Sequence, residues 1–180
     1  PEFQERVKAI GNDKIKFNGG EQAFLSEEEI RNLNIPKGTL LPEEREIIND
    51  HIVITIEMLE QLPYPKNLKN VPEFAGGHHE KMDGTGYPKG LNSSQMSTQA
   101  KIMAIADIYE ALTAADRPYK DGKKLSQAMR IMGFMKNDFH IDVDLFEIFV
   151  TSGVYKQYAK DHVARSQIDD VDEHSILANK

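Results

Sequence analysis

Pro42-Glu43-Glu44-Arg45-Glu46-Ile47-Ile48-Asn49-Asp50-His51-Ile52-Val53-Ile54-Thr55-Ile56-Glu57-Met58-Leu59-Glu60-Gln61 is the stretch whose reading decides the fold. Its centre, Ile52 to Ile56, is rich in β-branched residues and taken alone reads as a strand. Spacing argues otherwise: Ile47, His51, Ile54, Met58 and Gln61 share one helical face, with Ile48, Ile52, Thr55 and Leu59 beside it. Glu43, Glu44 and Glu46 put negative charge in the first turn, where a helix dipole favours it. Pro42 suits a first helical position, and Pro63 and Pro65 close the segment. The pattern predicts a helix over 42–61 and an all-α chain.

Working outward, Phe3, Val7 and Ile10 make a helical stripe over 1–10 that stops at Gly11-Asn12. A connector follows, with a short hairpin around Asn18-Gly19. Ser26-Glu27-Glu28-Glu29 is a capping box that opens a helix to about Leu33. On the other side a helix is expected over 71–81, with His78 and His79 in its last turns; Asp83-Gly84-Thr85-Gly86 cannot continue it. The most apolar helix runs from Thr98 to about Ala114 and is broken by Arg117-Pro118-Tyr119. Ser126 is read as the cap of a helix to about Lys136, Asp142 as the cap of one ending at Gly153, and 154–164 as helical. The acidic tail (Asp169, Asp170, Asp172, Glu173) is expected to be mobile or to dock elsewhere. The count is six to eight helices in three parts: 1–41, an N-terminal helix and connector; 42–164, the main bundle; and 165–180, the tail.

The chain has 180 residues, 39% hydrophobic and 28% charged, which suits one globular domain. No stretch is apolar enough to span a membrane and none reads as a secretory signal. With no cysteine, a metal here must be held by imidazole and carboxylate, a donor set that suits iron, manganese or zinc. The net charge of −7 argues against a nucleic-acid polymer as partner, while leaving room for a small phosphorylated ligand held by local cations.

Chemistry concentrates in Gly76-Gly77-His78-His79-Glu80-Lys81-Met82-Asp83-Gly84-Thr85-Gly86-Tyr87-Pro88. Two histidines near a helix end either favour the helix dipole or ligate a metal. Neighbours on a helix point about 100° apart, so both reach one centre only beside the helix end. His51 alone reads as an ordinary core or surface histidine. Asp107, in the apolar run Ile102 to Tyr109, is either a buried carboxylate that needs a cation or the marker of a solvated stripe. Together His51, His78, His79 and Asp107 come from three expected helices, as in metal centres of helical bundles. Arg117 and Lys120, just past the Asp107 helix, are either a phosphate clamp or a solvated pair. Tyr87 either stacks on a base or packs. His140, His162 and His174 have no partner in the pattern and are read as surface residues.

The run His78-His79-Glu80-x-x-Asp83-Gly84-x-Gly86-Tyr87-Pro88-x-Gly90-Leu91 resembles the signature of the HD-GYP domain family. Asp107-Ile108-Tyr109-Glu110-Ala111-Leu112-Thr113 and Arg117-Pro118-Tyr119 continue that pattern in order, so the likeness covers about Thr39 to Tyr158. The resemblance implies an all-helical HD phosphohydrolase fold and hydrolysis of cyclic di-GMP to pGpG or GMP at a centre of divalent metal ions. Iron or manganese is implied first, then zinc, magnesium or nickel. It implies His51, His78, His79 and Asp107 as metal ligands, Arg117 and Lys120 as phosphate contacts, and Gly86-Tyr87-Pro88 as the name-giving loop. It implies a cytoplasmic setting, within a larger and membrane-tethered sensor in some cases, and a GGDEF-domain or other signalling protein as partner.

The chain departs from the family where the His-Asp doublet, a nearby lysine and further upstream ligands should precede His51: no His-Asp pair occurs in it. Asn92-Ser93 stands where glycine is common, and Lys101 replaces a frequent arginine. The expectation is a fragment of a cyclic di-GMP phosphodiesterase, inactive alone. The alternatives are a non-catalytic module for cyclic dinucleotides or partners, and a phosphohydrolase of another nucleotide.

Overall fold

The computed structural model describes residues 2–17, 19–36, 38–115 and 122–178, with Phe17 by its backbone alone. It divides into two compact units, 1–49 and 50–180. Ten α-helices lie among the described residues, which bears out the all-α class, and the surplus over six to eight consists of short segments. The helix expected over 42–61 comes as two, with the turn between them at Asp50. Asn49 and Asp50 are residues whose side chains compete for helix backbone groups, a local reason for the break.

In the first unit, α1 (Glu2–Gly11) leads into an antiparallel hairpin, β1 (Lys14–Phe17) and β2 (Gly20–Ala23), in the register Lys14↔Ala23 to Phe17↔Gly20. The expected hairpin is present, and Gly19 turns it with φ +83°. α2 (Glu27–Leu33) begins at the predicted capping box, with Ser26 Oγ accepting from the Glu29 amide and Glu29 accepting from the Ser26 amide at 2.7 Å. α3 (Pro42–Asn49) opens on its proline, and Glu44 accepts from the Leu41 amide at 2.7 Å. Arg31 pairs with Glu43.

The second unit contains α4 (His51–Glu60), α5 (Val71–Gly76), α6 (Thr98–Thr113), α7 (Leu125–Asn137), α8 (Val143–Thr151), α9 (Val154–His162) and α10 (Glu173–Ala178). Its core gathers Ile105 and Tyr109 of α6, Met129 and Met132 of α7, Phe146 and Val150 of α8, Tyr155 of α9 and Ile176 of α10. Each large apolar side chain so buried contributes about 1.5–3 kcal/mol by transfer from water. The Tyr109 hydroxyl donates to the Tyr155 carbonyl at 2.9 Å, and burial pushes that phenol up to about 12. Asp142 caps α8 as predicted, accepting from the Leu145 amide.

Two expectations change. Ser126 does not cap α7; it sits inside the first turn, and Asp169 accepts from its amide at 2.9 Å and its hydroxyl at 2.8 Å. The acidic segment is docked: Glu173 accepts from the Tyr155 hydroxyl and pairs with Lys156, while Ile176 is buried against Gly133.

α5 holds the centre of the site. A Cβ on Gly76 would lie 2.6 Å from Ile56 Cδ1 of α4, and one on Gly77 would lie 2.8 Å from Ala100 Cβ of α6. A side chain at either position would force its neighbour to shift. The helix predicted to reach Lys81 stops at Gly76, and the Glu80 amide closes a turn onto the Gly77 carbonyl at 3.1 Å.

Candidate metal centre

Because α5 ends at Gly76, His78 and His79 occupy a turn rather than helical positions splayed about 100° apart. Both rings can then face one point. His51, the first residue of α4, meets them there: one ring nitrogen from each of His51, His78 and His79 lies within 4.8 Å of the others. His79 Nε2 and His51 Nε2 are 3.3 Å apart. Two imidazoles ligating one cation at about 2.0–2.1 Å would set their nitrogens roughly 3.0–3.4 Å apart, so this spacing fits.

His78 adds a second fit. Its Nδ1 lies 2.5 Å from the Ala75 carbonyl, an acceptor, so Nδ1 carries the proton and Nε2 keeps its lone pair for a cation. His79 is prepared differently. Burial first, then the adjacent His78, holds its imidazole below the usual histidine range; Asp107 pulls upward, while His51 and His140 add to the lowering. The ring is neutral at pH 7 and free to ligate. The Tyr87 ring stacks on it at 4.8 Å and 19°. Of the two uses foreseen for Tyr87, the structure shows packing, on a histidine. Burial, then the Asp107 charge, pushes the Tyr87 phenol up.

Asp107 lies exposed on α6, so the solvated-stripe alternative describes its surroundings. It acts electrostatically on His79 and Tyr87 but does not join the group of ligand atoms within 4.8 Å. Arg117 and Lys120 lie outside the described residues. On the described residues that flank 116–121, the Lys123 amide donates to the Leu112 carbonyl, and the Gln167 side chain donates to the Thr113 and Lys123 carbonyls at 2.8 and 2.9 Å.

The loop of Gly86, Tyr87 and Pro88 is positioned by a residue to which sequence reading gave no role. Glu80, 1% exposed, accepts from the Lys89 amide at 2.7 Å and the Leu91 amide at 2.9 Å. The Tyr87 amide donates to the His79 carbonyl at 3.2 Å. A Cβ on Gly86 would fall 2.5 Å from the Glu80 Cα, so its glycine serves close approach, whereas Gly84 adopts φ +80°. The Tyr87–Pro88 peptide is cis. One signal for Glu80 existed: an acid inside a histidine-rich run, eleven residues before the far end of a glycine-punctuated loop.

One further residue stands differently from expectation. His140, read as a surface residue, is half-buried, and the Met82 amide donates to the neighbouring Phe139 carbonyl at 2.9 Å. Burial, then Lys81, lowers the His140 pKa against the pull of Asp83 and Asp138. The unusual Ser93 and Lys101 meet one another: Lys101 Nζ donates to Ser93 Oγ at 2.8 Å and to Asp142 at 2.9 Å. The two departures are one interaction, tying the loop before α6 to the cap of α8.

A model of the HD domain matches residues 27–145, which span α2, the three histidines, α6 and the start of α8. The chain belongs to the HD domain family. A 3'3'-cGAMP-specific phosphodiesterase of Vibrio cholerae is 38% identical over 96 residues, 53% of this chain and 22% of its own length. A cyclic di-GMP phosphodiesterase of Thermotoga maritima is 40% identical over 139 residues, 70% of this chain and 37% of its own length. One of Pseudomonas aeruginosa is 44% identical over 79 residues, 43% and 18% of the two lengths. The chain thus spans well under half the length of these relatives. No helix among the described residues of this HD domain is long and apolar enough to cross a membrane.

Proposed function

We propose that this HD domain chain supplies the three-histidine wall of a metal-dependent phosphodiesterase centre that acts on cyclic di-GMP, giving pGpG or GMP. The convergence of His51, His78 and His79 within 4.8 Å carries the reading. Relatives named as cyclic dinucleotide phosphodiesterases support the substrate class. Iron or manganese suits the nitrogen donors, with zinc, nickel or magnesium as competitors. A divalent cation held there would polarise a phosphoryl oxygen and make water a better nucleophile at neutral pH.

The chain's own residues bind and orient. His78 is locked in the ligating tautomer by Ala75, His79 is kept neutral and covered by Tyr87, and Asp107 adds negative charge beside them. Asp107 as a further ligand and Arg117 with Lys120 as phosphate contacts complete the proposal. The exposed tip at Lys89 and Gly90 of the Tyr87 loop is the proposed contact for a GGDEF-domain or other signalling protein, in the cytoplasm.

A second reading, a cyclic dinucleotide-binding module without turnover, is favoured by one observation: the chain contains no His-Asp pair. Calorimetric titration with Mn(II) and anaerobic Fe(II), followed by product analysis with cyclic di-GMP, tests both. His51→Ala, His78→Ala and His79→Ala should each weaken metal uptake by more than about tenfold. Metal-dependent release of pGpG supports turnover, and binding without product supports the module. Metal affinity unchanged in all three variants would overturn the centre itself.

A further inference from the structure

α6 continues past the histidine site into a cleft that the proposed centre does not use. The cleft, of about 360 Å³, is lined by Glu110, Thr113, Ala114, Ala115, Tyr158 and His162. This is the small end of the range for ligand pockets and suits a single base. Glu110 follows Asp107 by three residues, so the two share a face of α6, about 4.5 Å apart along its axis at 1.5 Å per residue. Gly77, next to His78, packs on Ala100 near the start of α6, with only 2.8 Å between a Cβ at Gly77 and the Ala100 Cβ, so α6 runs from beside the histidine turn to the cleft.

Glu110 is exposed, and among the described residues no hydrogen bond or ion pair engages its carboxylate. The same cleft has an aromatic wall: the Tyr158 and His162 rings lie 4.6 Å apart at 37°. Tyr109 supports Tyr158 edge-on at 5.7 Å. Both wall residues are exposed on α9, so a flat ligand has a face to stack on.

We propose that this cleft is a base subsite for a cyclic dinucleotide and that Glu110 makes it selective for guanine. The inference rests on the function proposed above. A carboxylate offers two acceptors and no donor. The Watson–Crick edge of guanine presents two adjacent donors, N1–H and the N2 amino group, which a carboxylate accepts as a fork. Adenine presents an N1 acceptor beside its N6 amino group, and that lone pair would face a carboxylate oxygen. A phosphate at the histidines and a base in the cleft would lie along the same strip of α6.

The test is calorimetric titration of the Mn(II)-supplemented 180-residue chain with cyclic di-GMP and with cyclic di-AMP. The wild-type chain should prefer cyclic di-GMP by at least about tenfold, as sites built around a polar base edge do. Glu110→Gln puts a donor beside an acceptor and matches adenine, so it should lower cyclic di-GMP affinity, raise cyclic di-AMP affinity and reverse the ratio. Tyr158→Ala should weaken both ligands without changing the ratio, with circular dichroism confirming that the helices persist. If the wild-type chain binds cyclic di-GMP and the ratio is the same in Glu110→Gln, the subsite is overturned while the proposed function stands. If the wild-type chain binds neither dinucleotide, the proposed function falls and the subsite with it.

Discussion

Glu80 keeps its carboxylate out of water with two backbone amides as its hydrogen-bond donors, Lys89 and Leu91. A carboxylate acceptor in that setting is worth more than a neutral one, and removing it leaves two part-buried N–H groups unanswered. Glu80→Gln keeps the shape but turns one acceptor into a donor that faces an amide. The expected cost is about 1.5–3 kcal/mol, read by urea denaturation with tyrosine fluorescence, since the chain has no tryptophan. An unchanged midpoint would mean that the close approach of Gly86 and the Tyr87 stack hold the loop without Glu80. Because Tyr87 sits on His79, the same variant should also weaken Mn(II) uptake, linking a buried carboxylate to a histidine that it does not touch. The histidine pair was legible because its residue types are chemically loud. Glu80 was not: its partners are backbone amides, which carry no letter in the sequence.

At the scale of elements, local signals were read well and distant ones were not. The capping box at Ser26, the opening proline of α3 and the Asp142 cap depend on residues within one turn, and all three are as expected. The glycines at the end of α5 pack closely on Ile56 and Ala100, and the first turn of α7 is met by Asp169 from 43 residues away. No local pattern encodes such partners. The exposed position of Asp107 was equally open, because the apolar run around it continues onto faces that solvent reaches at Ile102 and Met103. Gln167 gives the sharpest case. Its amide is buried and donates to carbonyls on both sides of the segment from Thr113 to Lys123, and Gly122 must lack a Cβ to pass beneath it. Gln167→Leu removes both donors and leaves the buried Thr113 carbonyl and the part-buried Lys123 carbonyl without them, an expected loss of about 1–3 kcal/mol in urea denaturation. Hydrogen exchange at the Lys123 amide should accelerate with it. Unaltered exchange would show that the Lys123–Leu112 bond closes the base of the segment by itself.

Across the whole second unit, the C-terminal segment is held by ionised carboxylates as well as by Ile176, and that makes its docking sensitive to acid. Burial works to raise the Asp169 pKa, but the Ser126 amide and hydroxyl and the Lys124 charge outweigh it, and the group titrates below its ordinary value of 3.8. Hydrogen bonds from Lys156 and then Tyr155 hold Glu173 below its ordinary 4.5. A carboxylate with a depressed folded-state pKa contributes stability that is present above the unfolded value and is lost as pH falls through the folded one. The loss therefore begins below 4.5 for Glu173 and below 3.8 for Asp169. The segment also has the Lys136 Nζ bond to the Leu177 carbonyl at 3.2 Å and the packing of Ile176 on Gly133, which do not involve these carboxylates. Release should therefore be partial at first, with α10 loosening before the core of α6 to α9. Hydrogen exchange followed from pH 6 to pH 3 should show protection of the Ile176 amide, which donates to the Asp172 carbonyl, falling while that of α8 persists. A double variant, Asp169→Asn with Glu173→Gln, should start less protected at pH 6 and lose this pH dependence. If α10 and α8 lose protection together in both proteins, the carboxylates do not govern docking, and the apolar contact of Ile176 with the Lys136–Leu177 bond joins the segment to the core.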